Sequence, residues 1–177
     1  MHWFWSKILG FLNWKIVGDV PRNISKYVIV VAPHTSNWDF IYGIIIRGAA
    51  GFKSNFLGKD SLFNNPLGFF FRILGGIPVK RDSSNNMVDQ VIAEVKKRDS
   101  FVLTLAPEGT RKGVTKWKTG FYYISLNAKI PIVMCQLDFE NKRANFLEPF
   151  YPTGDIEKDM LYIQSKFKGV KGLADIK

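Results

Sequence analysis

Cysteine and histidine are almost absent from this chain: Cys135 is its one cysteine, and His2 and His34 are its two histidines. One cysteine closes no internal disulfide, and so few thiols and imidazoles make a poor inventory for a metal site, so no metal is expected. Cys135 stands in the apolar run IPIVMCQL and reads as a small buried hydrophobe, since a reactive thiol needs an accessible, electropositive setting. A chain without disulfides is expected in a reducing cytoplasm. Acidic residues are scarce as well, 15 Asp and Glu against 25 Lys and Arg, for a net charge of +10. That excess calls for a polyanionic partner: nucleic acid, anionic lipid headgroups or a phosphorylated small molecule each satisfy it.

Long hydrophobic runs are also missing. The N-terminal stretch MHWFWSKILGFLNWKIVGD is interrupted by Lys7 and Lys15, and falls short of the roughly 20 apolar residues of a membrane-spanning helix. It has neither the basic start nor the small-residue cleavage site of a signal peptide. Its three Trp and two Phe within fourteen residues, mixed with Lys, have the composition that settles at the headgroup level of a bilayer. The same residues would also serve a helix that packs its aromatics on the core. Residues 1–18 are therefore expected to form a membrane-docking or packing helix.

No internal repeat, low-complexity tract or linker breaks the 177 residues, and 46% of them are hydrophobic against 23% charged. That profile suits one folded domain with a sizeable core. The run YVIVVA (27–32) reads as a strand buried on both faces and stops at Pro33. SNWDFIYGIIIRGAA then predicts a helix, with Ser36 as N-cap and Asp39 three residues on as a capping-box-like partner.

Further along, 53–57 is a weak strand, and 60–74 has helical spacing broken at Asn65-Pro66. Residues 77–79 are extended, and 83–98 form an amphipathic helix. Phe101 to Leu105 is a buried strand, followed by a long basic loop over 106–119. A helix is expected at 120–128, strands at 132–137 and 145–147, and a closing helix at 155–168. Strands alternating with helices imply an α/β fold with a single-layer, largely parallel central sheet flanked by helices.

Active sites of such sheets gather beyond the carboxyl ends of the strands. Two polar loops follow apolar strands directly, PHTSNWD (33–39) and APEGTRKG (106–113). If their strands are parallel neighbours, the loops meet at one edge. His34 with Asp39 could then form a general base, because a carboxylate on Nδ1 leaves Nε2 free to take a proton from a hydroxyl. Backbone N–H groups near Asn37 are candidate donors to an oxyanion. Spacing alone leaves a plainer reading open, in which Asp39 only caps its helix. Glu108, Gly109, Thr110 and Arg111 combine a carboxylate, a turn and a guanidinium suited to phosphate; alone they would be an ordinary polar turn. Arg81 ends GIPVKR, and Lys59, Lys116 and Lys118 lie in other loops, each taken singly a solvated charge.

Together, HTSNWD (34–39), GIPVKR (76–81), PEGTR (107–111) and IPIV (130–133) resemble the four ordered blocks of the glycerolipid acyltransferase family, whose best-known member is lysophosphatidate acyltransferase. The likeness covers roughly residues 10 to 135. It implies a glycerol-3-phosphate acyltransferase-like fold, with His34 as base and Asp39 orienting it. It also implies Arg81 and Arg111 on the acceptor's phosphate, and Lys59, Glu108, Gly109 and Thr110 in the same substrate site. Ile132 and Val133 would line the acyl side, and Phe69 to Phe71 would suit an acyl chain or the core.

The implied partners are a lysolipid acceptor, an acyl thioester on coenzyme A or acyl carrier protein as co-substrate, and an anionic membrane surface. The implied location is peripheral, on the cytoplasmic face, with no metal or redox cofactor. Lys80, Ala106 and Lys112 depart from residues common in the family, which bears on the acceptor more than on the reaction. Another lipid acceptor, such as an amino-acid lipid, and a catalytically silent lipid-binding relative are the alternatives. A nucleic-acid module lacks support: the cations are spread over loops and helices, and no RNA-recognition or zinc-knuckle text is present.

Overall fold

The computed structural model describes residues 2–66, 68–79, 84–111, 114 and 116–176. In chain order these form α1 (His2–Phe11), β1 (Lys15–Val17), β2 (Lys26–Ala32), α2 (Trp38–Ala50), β3 (Phe56–Lys59), α3 (Gly68–Ile73) and β4 (Gly76–Val79). There follow α4 (Ser84–Lys97), β5 (Phe101–Leu105), α5 (Gly120–Ala128), β6 (Ile132–Asp138), β7 (Arg143–Phe146) and α6 (Ile156–Ser165).

The apolar run of β2 takes the interior of a five-stranded sheet ordered β1-β7-β6-β2-β5. β2 pairs parallel with both β5 and β6, and the β6–β7 pair is antiparallel. A strand with a neighbour on each side and helices on both faces has no polar face, which is why its sequence is continuously hydrophobic rather than alternating. Val28, Val30, Ile132 and Met134 point into one core with Val91, Phe121 and Ile163. Tyr27, Ile29, Val133, Cys135 and Leu137 point into the other with Leu9, Ile45 and Ala49. The α/β class and largely parallel sheet expected from the sequence are present. Helices α1 and α2 cover one face, and α4, α5 and α6 the other.

α1 approaches α2 closely because Gly48 has no side chain: a Cβ there would lie 2.4 Å from the Trp5 ring. Trp5, Ile8 and Leu9 face α2 and the sheet, while Trp3, Phe4 and Phe11 remain exposed. The helix expected over residues 1–18 stops at Phe11. Lys15–Val17 instead adds β1 to the sheet edge, parallel to β7. Such a short strand carries no periodicity of its own, and its partner lies 128 positions on at Arg143.

The weak strand expected at 53–57 is shifted to Phe56–Lys59 and pairs with β4 in a separate two-stranded parallel sheet. Asn55 joins that sheet to β5, through Asn55 N–H to Val102 O and Thr104 N–H to Asn55 O. The helix expected over 60–74 is reduced to a 3-10 turn at Asp60–Leu62 and the short α3. Asn65-Pro66 separates them, as proline requires. Phe69 and Phe70, expected in an acyl site or the core, are 64% and 52% exposed instead.

Candidate active site

Because β2 and β5 are parallel neighbours, with Val30 opposite Leu105, the loops that leave them emerge side by side. The backbone N–H of His34 donates to Glu108 Oε1 at 3.0 Å and links the two loops directly. The chain then reverses into α2, whose first turn carries Asp39. Asp39 Oδ2 accepts the N–H groups of Thr35 and Ser36, each at 2.8 Å, and lies 3.0 Å from His34 Nδ1.

An oxygen that already accepts two backbone N–H groups is an acceptor toward the ring as well, so Nδ1 carries the proton and Nε2 is left with its lone pair. The same oxygen therefore braces the loop that enters α2 and meets the ring; it does not cap the helix, whose N-cap, Asn37, has no side-chain bond. The N-cap of α2 is Asn37 rather than the expected Ser36, whose hydroxyl accepts the Trp38 N–H at 3.2 Å. Of the N–H groups at this turn, that of Asn37 has no partner among the described residues. It remains available to an oxyanion.

Burial sets the electrostatics. Asp39 is 6% exposed, and among the described residues its Oδ1 has no hydrogen-bond partner; nor have Glu108 Oε2 and Thr104 Oγ1. Burial raises the pKa of Glu108 above the ordinary carboxylate range, and the His34 N–H only partly offsets it. Buried polar atoms without partners are uncommon in folded proteins. Two of them belong to the carboxylates that hold His34, and Thr104 lines the same cavity opposite Ile29.

That histidine lines a cavity of about 790 Å³. Ile29, Val31, Cys135 and Leu137 form one wall of it, on the sheet face that α2 covers, and Phe40, Gly43, Ile44 and Arg47 of α2 form another. Cys135 is a wall residue whose thiol is pushed up to about 12 by burial, so it behaves as a small hydrophobe. Arg47 donates from Nη1 to the carbonyls of Ser54 and Leu74, and burial lowers its pKa. Thr110, Arg111 and Lys118 line the cavity on the side of the second loop.

Gly109 turns that loop at φ +64°, a conformation that costs a side chain energy. Lys118 N–H donates to Pro107 O at 2.8 Å, which folds the loop back and lays the Lys118 stem over Gly109.

The sequence-derived site residues thus divide. His34, Asp39, Glu108, Gly109, Thr110 and Arg111 are brought together. Lys59 is exposed at the end of β3 and does not line the cavity. Arg81 lies outside the described residues. Ile132 and Val133, expected on the acyl side, are both 0% exposed inside the two cores. Cys135 and Leu137 line the cavity in their stead, because it opens nearer the carboxyl end of β6 than its start.

Lys118, Thr104 and Arg47 are cavity residues that the sequence did not single out as a site. Lys118 was visible only as one loop cation among several, and nothing local announces the bond that folds its loop. Among the described residues, no group of three or more His, Cys, Asp or Glu is placed to hold a metal ion. No helix among them is long and apolar enough to cross a membrane.

Comparison with known proteins yields matches at three levels. Residues 15–137 match the family model described as Acyltransferase. A 1-acyl-sn-glycerol-3-phosphate acyltransferase of Streptococcus pneumoniae (strain ATCC BAA-255 / R6) is 28% identical over 130 residues, 73% of this chain; the chain spans 47% of that protein's length. The crystal structure of the 1-acyl-sn-glycerophosphate (LPA) acyltransferase PlsC from Thermotoga maritima superposes with a TM-score of 0.66. That match covers 94% of this chain and 75% of the other at 19% identity, a likeness of fold.

Proposed function

This chain belongs to the acyltransferase family, and from that premise we propose that it transfers a fatty acyl group from an acyl thioester to a hydroxyl of a lysophospholipid such as lysophosphatidate. The observation that carries the reading is the His34–Asp39 pair, 3.0 Å apart, on the wall of a largely apolar cavity that also holds Arg111 and Lys118.

In this reading His34 Nε2 takes the proton of the acceptor hydroxyl as its oxygen attacks the thioester carbonyl. The tetrahedral oxyanion is met by backbone N–H, with that of Asn37 the free candidate. Collapse expels the thiolate of coenzyme A or acyl carrier protein, which regains a proton from the imidazolium. Asp39 holds the ring in one tautomer and stabilises its charged form. Arg111 and Lys118 hold the acceptor's phosphate; Arg81 joins them on the strength of its motif. No metal or redox cofactor takes part. The apolar wall beneath α2 receives the acyl chain.

Peripheral attachment to the cytoplasmic face of an anionic membrane completes the reading. The net charge of +10 favours such a surface. The exposed Trp3, Phe4 and Phe11 of α1, with the Lys7 ammonium over the Trp3 ring, lie on a face other than the one that packs on α2.

The test is an acyl-transfer assay with labelled acyl-CoA and acyl carrier protein donors against a panel of lysolipids, with wild type and His34→Ala side by side. Transfer to lysophosphatidate that disappears in the variant is expected. Transfer only to another lysolipid would keep the chemistry and replace the acceptor. Lipid binding without any turnover would make this a silent relative.

A further inference from the structure

Gly43 sits in the interior of α2, where glycine is less favourable than alanine. A helix keeps such a glycine most often because a neighbour packs against it, as Trp5 does on Gly48. Gly43 has no such neighbour: a Cβ there would meet no atom within 4 Å. It is exposed, and yet it lines the cavity. One residue touching both solvent and cavity marks an opening in the wall.

The neighbours of Gly43 define that opening. Phe40, Gly43 and Arg47 fall on one face of α2 at spacings of three and four. Phe40 packs edge-on against Phe56 with ring centroids 5.2 Å apart. Arg47 binds the carbonyls of Ser54 and Leu74. The same helix face is therefore sealed against segment 54–56 at both ends, which lie about 10 Å apart along the axis. Between them Gly43 leaves the seam open.

We propose that this slot is a side passage for a substrate's fatty chain, through which a chain too long for the cavity leaves it between α2 and segment 54–56. The inference rests on the acyl-transfer reading for its ligand. Chemistry favours a hydrocarbon: the wall behind the slot is apolar, Phe40 and Phe56 flank it, and Arg47 turns its Nη1 toward backbone carbonyls. The chain that uses the slot belongs to the donor or to the acceptor, and the two differ only in what lies at its other end.

Gly43→Leu places a branched side chain in the slot from a Cβ that meets no neighbouring atom within 4 Å, and Gly43→Ala narrows it less. Transfer is measured for both variants and wild type with donors of eight to sixteen carbons on a fixed acceptor, then with acceptors of the same lengths on a fixed donor. In parallel, binding of a fluorescent sixteen-carbon fatty acid is measured without turnover.

The expected result is a loss with the longest chains about tenfold or more greater than with the shortest, in one of the two series, with Gly43→Ala intermediate and the melting temperature not lowered. The series that shifts identifies the source of the chain. Equal losses at every length, or probe binding as tight in Gly43→Leu as in wild type, would overturn the slot. Absence of turnover in wild type with probe binding weakened by Gly43→Leu would sink the acyl-transfer reading and leave the slot standing. Failure of wild type to bind the probe would sink the slot.

Discussion

His34 and Glu108 stand 74 positions apart, and the backbone N–H of the first donates to Oε1 of the second at 3.0 Å. The bond fixes the loop after β2 to the loop after β5, so the imidazole is oriented from two directions. Asp39 holds its ring, and Glu108 holds its backbone. Glu108 Oε2 is buried without a partner among the described residues, so this anchoring is costly whenever the carboxyl is ionised.

A pH dependence follows from that cost. Glu108 has a folded pKa above its unfolded one because burial disfavours the carboxylate. The folded state therefore holds the proton to higher pH than the unfolded chain. Glu108's contribution is most favourable at low pH and is lost as pH rises from the unfolded pKa through the raised folded one. Glu108→Gln, which keeps an acceptor for the His34 N–H, should flatten that fall. Chemical denaturation of both proteins from pH 4 to pH 8 checks it, and identical slopes would show that Glu108 does not titrate differently on folding.

Asp39→Asn tests the other anchor. An amide preserves an acceptor for Thr35 and Ser36 but no longer enforces protonation of His34 at Nδ1, nor stabilises a charged ring. We expect transfer to fall by about 10²–10⁴, the range for losing general-base function, with little change in the far-ultraviolet circular dichroism spectrum. A loss near that of His34→Ala would show the two acting as a unit. Near-normal turnover would reduce Asp39 to a brace for the loop that enters α2.

Arg111 and Lys118 should act on the acceptor. A hydrogen bond to a charged group contributes about 1.5–3 kcal/mol, so Arg111→Ala and Lys118→Ala should each raise the acceptor's KM about 10- to 100-fold and leave the donor's KM nearly unchanged. Lys59→Ala serves as the contrast, since Lys59 does not line the cavity, and should alter the acceptor's KM far less. Steady-state kinetics with each substrate varied separately discriminates these outcomes.

Gly48→Ala should destabilise the fold although alanine is the better helix former. Alanine gains about 1 kcal/mol of propensity, but its Cβ would lie 2.4 Å from the Trp5 ring, and overpacking of this kind costs about 1–3 kcal/mol. The melting temperature should fall in Gly48→Ala and recover in the double variant with Trp5→Leu, whose smaller side chain makes room. A higher melting temperature in the single variant would mean that α1 moves aside freely.

Much of the fold and the heart of the site were legible in the residues. The uninterrupted apolar runs of β2, β5 and β6 identified interior strands of a covered sheet, because only a strand buried on both faces has no use for polar side chains. Polar loops placed directly after two such strands marked the edge where a site forms. His34 and Asp39 needed only the local reversal into α2 to meet. These features depend on neighbours in sequence, or on a general property of parallel sheets.

What tertiary structure alone decided depends on partners far away in the chain. Lys15–Val17 becomes a strand because β7 offers it an edge. Ile132 and Val133 are as apolar as Cys135 and Leu137, yet only the latter pair reaches the cavity, because a hydrophobic run records burial and not how far along the strand a cavity begins. Phe69 and Phe70 look like core residues and are exposed, since α3 is cut short by Pro66 and presents them outward. Lys118 joins the site through one backbone bond to Pro107 across a basic loop. Gly43 was one glycine among fifteen until the contacts at Phe40 and Arg47 on either side left it facing an open seam. Sequence determines which side chains are available and what each segment prefers, while position within a cavity is a relation among segments that no segment carries by itself.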